Sequence, residues 1–196
     1  ARTEGLLESH IIVLFTGAIG RRKGVFDMLS AIPGVLKNVR NITFVFAGPE
    51  EFGGELTQFH DMVKDLGISG NVIYAGVVTG QEKINMYLSS DIFALPSYAE
   101  NLPNSVLEAV AAGLPVVTTD VGAIPEVITE GVHGFIVKPG DIEAITKKIA
   151  ALALDRDLRE SMGRNNLKLA GEKYDMSIVA GKIDDVYKDL ISGGKQ

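Results

Sequence analysis

Short apolar runs alternate with helical stretches along this chain, and that alternation constrains its fold more than any other feature. Strands are predicted for six apolar runs: Ile11–Phe15, Ile42–Ala47, Val72–Tyr74, Ile92–Leu95, Pro115–Thr118 and Gly134–Val137. Helices are predicted between and after them, over Gly24–Val39, Gly54–Leu66, Gln81–Ser89, Asn104–Ala112, Ile124–Thr129, Asp141–Ala153, Asp157–Lys173 and Met176–Ile191. Apolar strands separated by helices are typical of a parallel sheet that is covered on both faces. The sequence therefore predicts an α/β fold, a doubly wound, Rossmann-like sheet of about six strands that binds its ligands at the strands' carboxyl ends.

Length, charge and cysteine content exclude several classes of protein. The chain has 196 residues, enough for one domain with a core of ordinary size. No stretch approaches the roughly 20 apolar residues of a membrane span, and the absence of cysteine excludes disulfides and thiolate metal sites. The net charge of −6 argues against nucleic acid as the main partner. A nucleotide ligand needs only a local basic cluster, such as the one at residues 21–23.

The two ends of the chain differ from its middle. Residues 1–9 are polar and without pattern, as expected of a linker or an excised boundary, and residues 192–196 are expected to fray. One domain is predicted over residues 10–191. Asp155 and Asp157 match an Asp-x-Asp metal pattern, but they lie between two predicted helices, where an N-cap is the expected role.

Glu100 and Glu108 lie on either side of a predicted helix start. The strand Ile92–Leu95 ends, a turn with two prolines follows, and a helix is expected to begin near Asn104 or Ser105. Glu100 precedes that helix and Glu108 is placed in its first turn, where free backbone N–H groups attract anions. Two carboxylates that accept hydrogen bonds from hydroxyls, beside a phosphate-sized nest, indicate a nucleotide-sugar site. The alternative is a solvated turn followed by a glutamate that favours the helix dipole.

The glycine-containing loop from Gly17 to Gly24 fits none of three common nucleotide-binding patterns. A dinucleotide loop requires glycine at position 19, which is Ile, and an acidic residue that closes the second strand. A P-loop requires glycine directly before the lysine, where Arg22 stands, and the short-chain dehydrogenase pattern requires glycine at position 21, which is Arg. What remains is a turn that ends in Lys23, which either reaches toward a phosphate or lies in solvent at a helix start.

The order and spacing of several motifs resemble one known family. Glu100 and Glu108 are separated by seven residues and followed by Ala-x-Ala-x-Gly-x-Pro-Val over residues 109–116. Similar matches occur over residues 118–128, over 131–141 and in the upstream loop 15–24. This pattern resembles the donor-binding signature of the retaining GT-B glycosyltransferases of glycosyltransferase family 4, also called group 1. The resemblance extends from about Ile11 to Leu190 and implies the C-terminal, donor-binding half of a GT-B fold.

The resemblance also implies a role for individual residues. It implies that Lys23, in the loop that starts at Gly17, contacts the donor diphosphate, that Glu108 accepts the ribose hydroxyls, and that Glu100 contacts the transferred sugar. Glu100 and Lys23 would thus act in catalysis, on the donor side only. The remaining donor contacts would come mainly from backbone groups, those of Asn101, Leu102, Asn104 and Ser105 for the distal phosphate and sugar and those of Val77 and Val78 for the base. The family usually carries arginine where this chain has Ala18; Arg21 or Arg22 could supply that charge, and Arg22 is preferred because it adjoins Lys23.

The implied activity is transfer of a hexose or similar sugar, with retention of its anomeric configuration. The donor would be a UDP-, GDP- or ADP-linked sugar, without a cofactor or a bound metal. The acceptor would bind a missing N-terminal domain, so the isolated chain would be inactive. The location implied is cytoplasmic, with contact to a membrane surface through the missing domain as one alternative. Two other functions remain open, a non-catalytic nucleotide-sugar binding subunit, favoured by Ala18, and a nucleotide-sugar epimerase half.

Overall fold

The computed structural model describes residues 10–174 and contains a parallel sheet of six strands. The strands are β1 (Ile11–Thr16), β2 (Ile42–Ala47), β3 (Val72–Gly76), β4 (Ile92–Leu95), β5 (Val116–Thr119) and β6 (Gly134–Val137). Their order across the sheet is β3-β2-β1-β4-β5-β6, and every neighbouring pair is parallel. The predicted doubly wound sheet is therefore confirmed. The strand predicted from Pro115 begins one residue later, at Val116.

Seven α-helices connect and follow the strands in the described residues. They are α1 (Val25–Leu36), α2 (Glu55–Asp65), α3 (Gly80–Leu88), α4 (Asn104–Ala111), α5 (Ile124–Val127), α6 (Ile142–Leu154) and α7 (Arg156–Leu169). A 3-10 turn at Arg21–Lys23 precedes α1, and a π-helical turn at Ala170–Tyr174 follows α7. The predicted helix Met176–Ile191 and the predicted terminal segments 1–9 and 192–196 lie outside the described residues.

The two faces of the sheet carry different helices. The helix α1 packs against α2 and α6, whereas α4 packs against α7. The order of the strands reverses direction between β1 and β4, so right-handed crossovers place α3 and α4 on the face opposite α1 and α2. The central strands β4 and β5 are buried throughout, while Ile73 on the edge strand β3 is 52% exposed. The carboxyl ends of β1 and β4 are therefore adjacent, at the switch point where doubly wound sheets bind ligands.

Aromatic side chains fill the core beside β1 and β2. The Phe15 and Phe46 rings are 5.5 Å apart, and the Phe46 and Phe59 rings meet edge to face at 5.1 Å. All three residues are fully buried. Phe15 and Phe46 each lie one residue before the end of their strand, so this packing stabilises the carboxyl ends of β1 and β2.

Asp155 caps α7, as the sequence predicts. Its side chain accepts a hydrogen bond from the N–H of Leu158 at 2.9 Å, so α7 begins at Arg156. Asp141 caps α6 in the same way through the N–H of Ala144, also at 2.9 Å, which places it just before the helix rather than within it.

Within residues 10–174, histidine, aspartate and glutamate side chains form no group of three or more that could hold a metal ion. In that same part of the chain no helix is long and apolar enough to cross a membrane.

Candidate functional site

The glycine-containing loop after β1 lies directly against the end of β2. The N–H of Gly17 donates a hydrogen bond to the carbonyl of Ala47 at 2.9 Å. Gly48 has a φ of 147°, and a Cβ on it would lie 1.9 Å from the carbonyl oxygen of Gly17. Only glycine permits this approach, which brings the two strand ends into backbone contact and leaves a shallow space above them.

The other end of this loop lies close to Pro96, the residue that follows β4. Gly24 has a left-handed φ of 72°, and a Cβ on it would lie 2.0 Å from the carbonyl oxygen of Pro96. This contact places Lys23 beside the turn that follows β4. Its Nζ lies 2.6 Å from Oε1 of Glu100, which also accepts a hydrogen bond from Ser97 Oγ at 2.7 Å. The Lys23 and Glu100 side chains are only 16% and 7% exposed, so this is a mostly buried ion pair.

Glu108 is held by two side chains of α3. Lys83 Nζ lies 2.7 Å from Oε1, and the Tyr87 hydroxyl donates to Oε2 at 2.7 Å. The same hydroxyl shares a hydrogen bond of 2.5 Å with Oγ1 of Thr16, at the end of β1. Burial raises the pKa of Tyr87, so its hydroxyl stays protonated and continues to donate to the carboxylate. The carboxylate thus has a fixed orientation although its side chain is 37% exposed.

The position predicted for Glu108 in the first turn of the helix is wrong. The helix α4 begins at Asn104, as expected, and its first turn contains no acidic residue. Glu108 is the fifth residue of α4 and lies in the second turn, on the side that contacts α3. Since the helix dipole acts within the first turn, attraction to it does not account for this glutamate.

A cavity of about 220 Å³ opens at the carboxyl ends of β1, β2 and β3, beside the start of α4. Its walls come from four separate segments: Thr16, Gly17 and Ala18; Ala47, Gly48 and Pro49; Val77, Val78 and Lys83; and Ser105. The structure therefore brings together Gly17, Val77, Val78 and Ser105, which are predicted site residues from separate segments of the sequence. Lys83 joins the cavity to Glu108, because it lines the first and pairs with the second.

The remaining predicted residues are not among those that line the cavity. Lys23 and Glu100 form their own pair at the end of β4. Asn101 accepts a backbone hydrogen bond from Ala123, Leu102 packs against the core, and Asn104 is the exposed first residue of α4.

The arginines of the 3-10 turn contact the β2–α2 region. Arg22 Nε lies 2.5 Å from Oε1 of Glu51, and its Nη1 donates to the carbonyl of Ala99 at 3.3 Å. Arg21 donates from Nη2 to Gln58 at 2.9 Å and lies over the Phe26 ring. Neither arginine is among the residues that line the cavity. The charge expected in place of Ala18 is therefore not brought into the cavity by either of them.

Lys83, Tyr87 and Ser97 are site residues that sequence reasoning missed. Lys83 and Tyr87 are four residues apart on a predicted helix, so they share one face, but nothing local indicates what that face contacts. Ser97 is three residues before Glu100, and because serine is common in turns, nothing in the sequence marks it as a site residue. Their roles depend on side-chain contacts between α3 and α4 and on the shape of the turn after β4.

Comparisons with known proteins agree with this geometry. A family model described as "Glycosyl transferases group 1" matches residues 2–169. The chain therefore belongs to the group 1 glycosyltransferases, and its six-stranded sheet is that of the C-terminal domain of GT-B glycosyltransferases.

Individual proteins show the same likeness. An uncharacterized glycosyltransferase of Methanocaldococcus jannaschii is 31% identical over 188 residues, covering 95% of this chain and 47% of that protein. The C-terminal domain of a group 1 family glycosyl transferase from Francisella tularensis superposes with a TM-score of 0.78 at 26% identity, over 85% of this chain and 87% of that one. A protein of Anabaena, solved in complex with UDP-glucose, superposes with a TM-score of 0.82 over 92% of this chain and 49% of that one. At 21% identity the Anabaena protein shows a shared fold alone. The chain spans about half or less of the length of the curated relatives it matches.

Proposed function

We propose that this chain is the nucleotide-sugar donor domain of a retaining glycosyltransferase of family 4. The donor is a UDP-, GDP- or ADP-linked sugar, and no further cofactor takes part. The observation that carries the proposal is the cavity at the carboxyl edge of the sheet, where the loop at Gly17, the segment Val77–Val78 and Ser105 meet. This is where a doubly wound sheet binds nucleotides. A UDP-glucose complex of the structurally similar Anabaena protein supports a ligand of this class.

The two carboxylates contact different parts of the donor. Glu108 accepts the ribose hydroxyls, because Lys83 and Tyr87 present its two oxygens side by side and each oxygen can accept a second hydrogen bond. Glu100 accepts hydroxyls of the transferred sugar. Its Oε1 is occupied by Lys23 and Ser97, and its Oε2 takes part in neither contact.

Charge that develops on the leaving diphosphate is stabilised by Lys23 and by the N-terminus of α4. Backbone groups of Asn101, Leu102, Asn104 and Ser105 face the distal phosphate and the sugar, and Val77 and Val78 contact the base. A bound metal is not required, because these groups supply the positive charge.

The acceptor binds to an N-terminal domain of the same protein. This proposal agrees with the lengths compared above, because the chain spans about half the length of its relatives. The whole enzyme then works in the cytoplasm, with access to a membrane surface through that domain. The isolated chain binds donor but transfers no sugar.

Isothermal titration with UDP, GDP, ADP and their common sugar derivatives tests this proposal. At least one nucleoside diphosphate is expected to bind with a measurable Kd below the millimolar range. Incubation of the same chain with its donor and simple sugar acceptors is expected to give no transfer product. Failure of all three diphosphates to bind at millimolar concentration would refute the donor-domain function.

A further inference from the structure

Lys83 is the charged residue among those that line the cavity within residues 10–174. The other walls are glycine, alanine, valine, proline, threonine and serine. Among these lining residues, a phosphate that enters the cavity therefore finds one cationic side chain. That side chain comes from α3, whereas Gly17 and Ala18 belong to the loop after β1.

The ammonium group of Lys83 is not saturated by its partner. Its Nζ makes one contact of 2.7 Å, to Oε1 of Glu108, whereas an ammonium has three donors. The side chains of Lys83 and Glu108 are 35% and 37% exposed, so water and ligands reach the pair. A lysine stem with four carbons can keep the contact with Glu108 while it points a second donor into the cavity.

The other basic residues near the cavity are engaged elsewhere. Arg22 pairs with Glu51, whose side chain is only 8% exposed, and Arg21 bonds to Gln58. Lys23 lies in the mostly buried pair with Glu100, outside the cavity lining. Position 18, which does line the cavity, carries only the methyl group of an alanine.

We propose that Lys83 is a donor-binding residue, whose ammonium bridges Glu108 and the α-phosphate of a nucleoside diphosphate. The α-phosphate is assigned because it is attached to the ribose, and a ribose held by Glu108 brings it nearest to Lys83. Lys83 thereby supplies, from α3, the positive charge that the loop lacks at Ala18. This inference rests on the proposed function, since it requires a nucleotide with its ribose on Glu108.

Neutralising Lys83 tests the proposal. The intact chain and the variants Lys83→Gln and Lys83→Arg are titrated with the tightest-binding of UDP, GDP and ADP, with its monophosphate and with its nucleoside. Lys83→Gln is expected to weaken binding of the diphosphate and of the monophosphate roughly tenfold or more. Its affinity for the nucleoside is expected to stay nearly unchanged. Lys83→Arg keeps the charge and is expected to restore most of the affinity. Lys147→Gln is a matched control, because it removes an exposed lysine–glutamate pair on α6, away from the cavity.

A second variant tests the relation to Ala18. An arginine at position 18 would bring a cation to the same cavity from the loop after β1. Ala18→Arg is therefore expected to rescue diphosphate binding in the Lys83→Gln background. In the parent chain it is expected to increase the affinity for the diphosphate much less. Independent, additive effects of the two substitutions would overturn the idea that Lys83 supplies the charge absent at position 18.

The remaining outcomes are distinguishable. Equal losses for nucleoside and diphosphate would overturn the proposal, because they would show that Lys83 only orients Glu108 for the ribose. A loss confined to the diphosphate would overturn the assignment to the α-phosphate. If Lys83→Gln binds the diphosphate as tightly as the parent chain, the proposal for Lys83 is refuted and the donor-domain function stands. If the parent chain binds no diphosphate, both are refuted.

Discussion

Two lysine–carboxylate pairs belong to the candidate site, and they differ in the exposed fractions of their side chains. Lys23 and Glu100 are 16% and 7% exposed, while Lys83 and Glu108 are 35% and 37% exposed. Removing one partner of a largely buried pair leaves the other charge without compensation, whereas an exposed partner is solvated by water. Loss of Glu100 is therefore expected to reduce stability as well as binding. Loss of Glu108 is expected to affect binding with little change in the free energy of unfolding.

Separate substitutions of the two glutamates test their assigned roles. Glu108→Ala is expected to weaken nucleoside diphosphate and nucleotide sugar alike, by about 1.5–3 kcal/mol for lost charged hydrogen bonds. Glu100→Ala is expected to weaken the binding of the nucleotide sugar only, because the plain diphosphate lacks the sugar hydroxyls that the proposal assigns to Glu100. Calorimetric titration of both ligands against both variants measures the difference. Equal effects of the two substitutions on the two ligands would contradict this division, and an unchanged Kd for Glu108→Ala would remove its ribose role.

At the scale of elements, the site depends on how closely loops approach strand ends. The 3-10 turn Arg21–Lys23 leads into α1 through Gly24, which touches the carbonyl of Pro96. That contact sets the distance between Lys23 and the turn that carries Ser97 and Glu100. A side chain at position 24 would separate the two and would also require a left-handed backbone.

Gly24→Ala is expected to lower the free energy of unfolding by about 1–3 kcal/mol from backbone strain alone, with a further cost from the displaced turn. Gly53→Ala is the matched control, because no atom lies within 4 Å of a Cβ built at that glycine. Its effect is expected to stay within about 0.5 kcal/mol. Urea unfolding followed by circular dichroism measures both values. Similar stability of the two variants would show that the close approach to Pro96 is not required.

At the scale of the whole molecule, the order of the strands creates the site. β1 lies between β2 and β4, so the loop that follows it contacts both neighbouring strand ends. The helices α3 and α4 meet on the opposite face through Tyr87 and Glu108. Lys23, Lys83 and the start of α4 thus come from different parts of the chain, and the proposed function assigns to them the positive charge that faces the diphosphate.

The proposed site takes its positive charge from protein groups, so donor binding is expected to be independent of divalent metal. Titration of the preferred nucleoside diphosphate in the presence of a chelator should give a Kd close to the value measured with added magnesium. A tenfold loss, about 1.4 kcal/mol, would contradict this expectation and would mean that a cation completes the phosphate site.

The sequence by itself determined the class of fold and the edge of the sheet at which the candidate site lies. All six strands were predicted within a few residues, because apolar runs between helical stretches reflect burial on both faces of a parallel sheet. The N-cap at Asp155 and the start of α4 were predicted as well, since both depend on neighbouring residues along the chain. These features arise from local chemistry, which the order of residues specifies directly.

Only the tertiary structure decided which side chains meet. Lys83 and Tyr87 are 25 and 21 residues before Glu108, and their contact with it depends on how α3 packs against α4. Arg22, expected to face the phosphate, contacts Glu51 because the β2–α2 loop lies against the 3-10 turn. A helical pattern specifies which residues share a face, but the partner of that face is fixed by strand order and by close backbone contacts. The physical reason is that long-range pairing depends on the packing of whole elements, which local sequence does not encode.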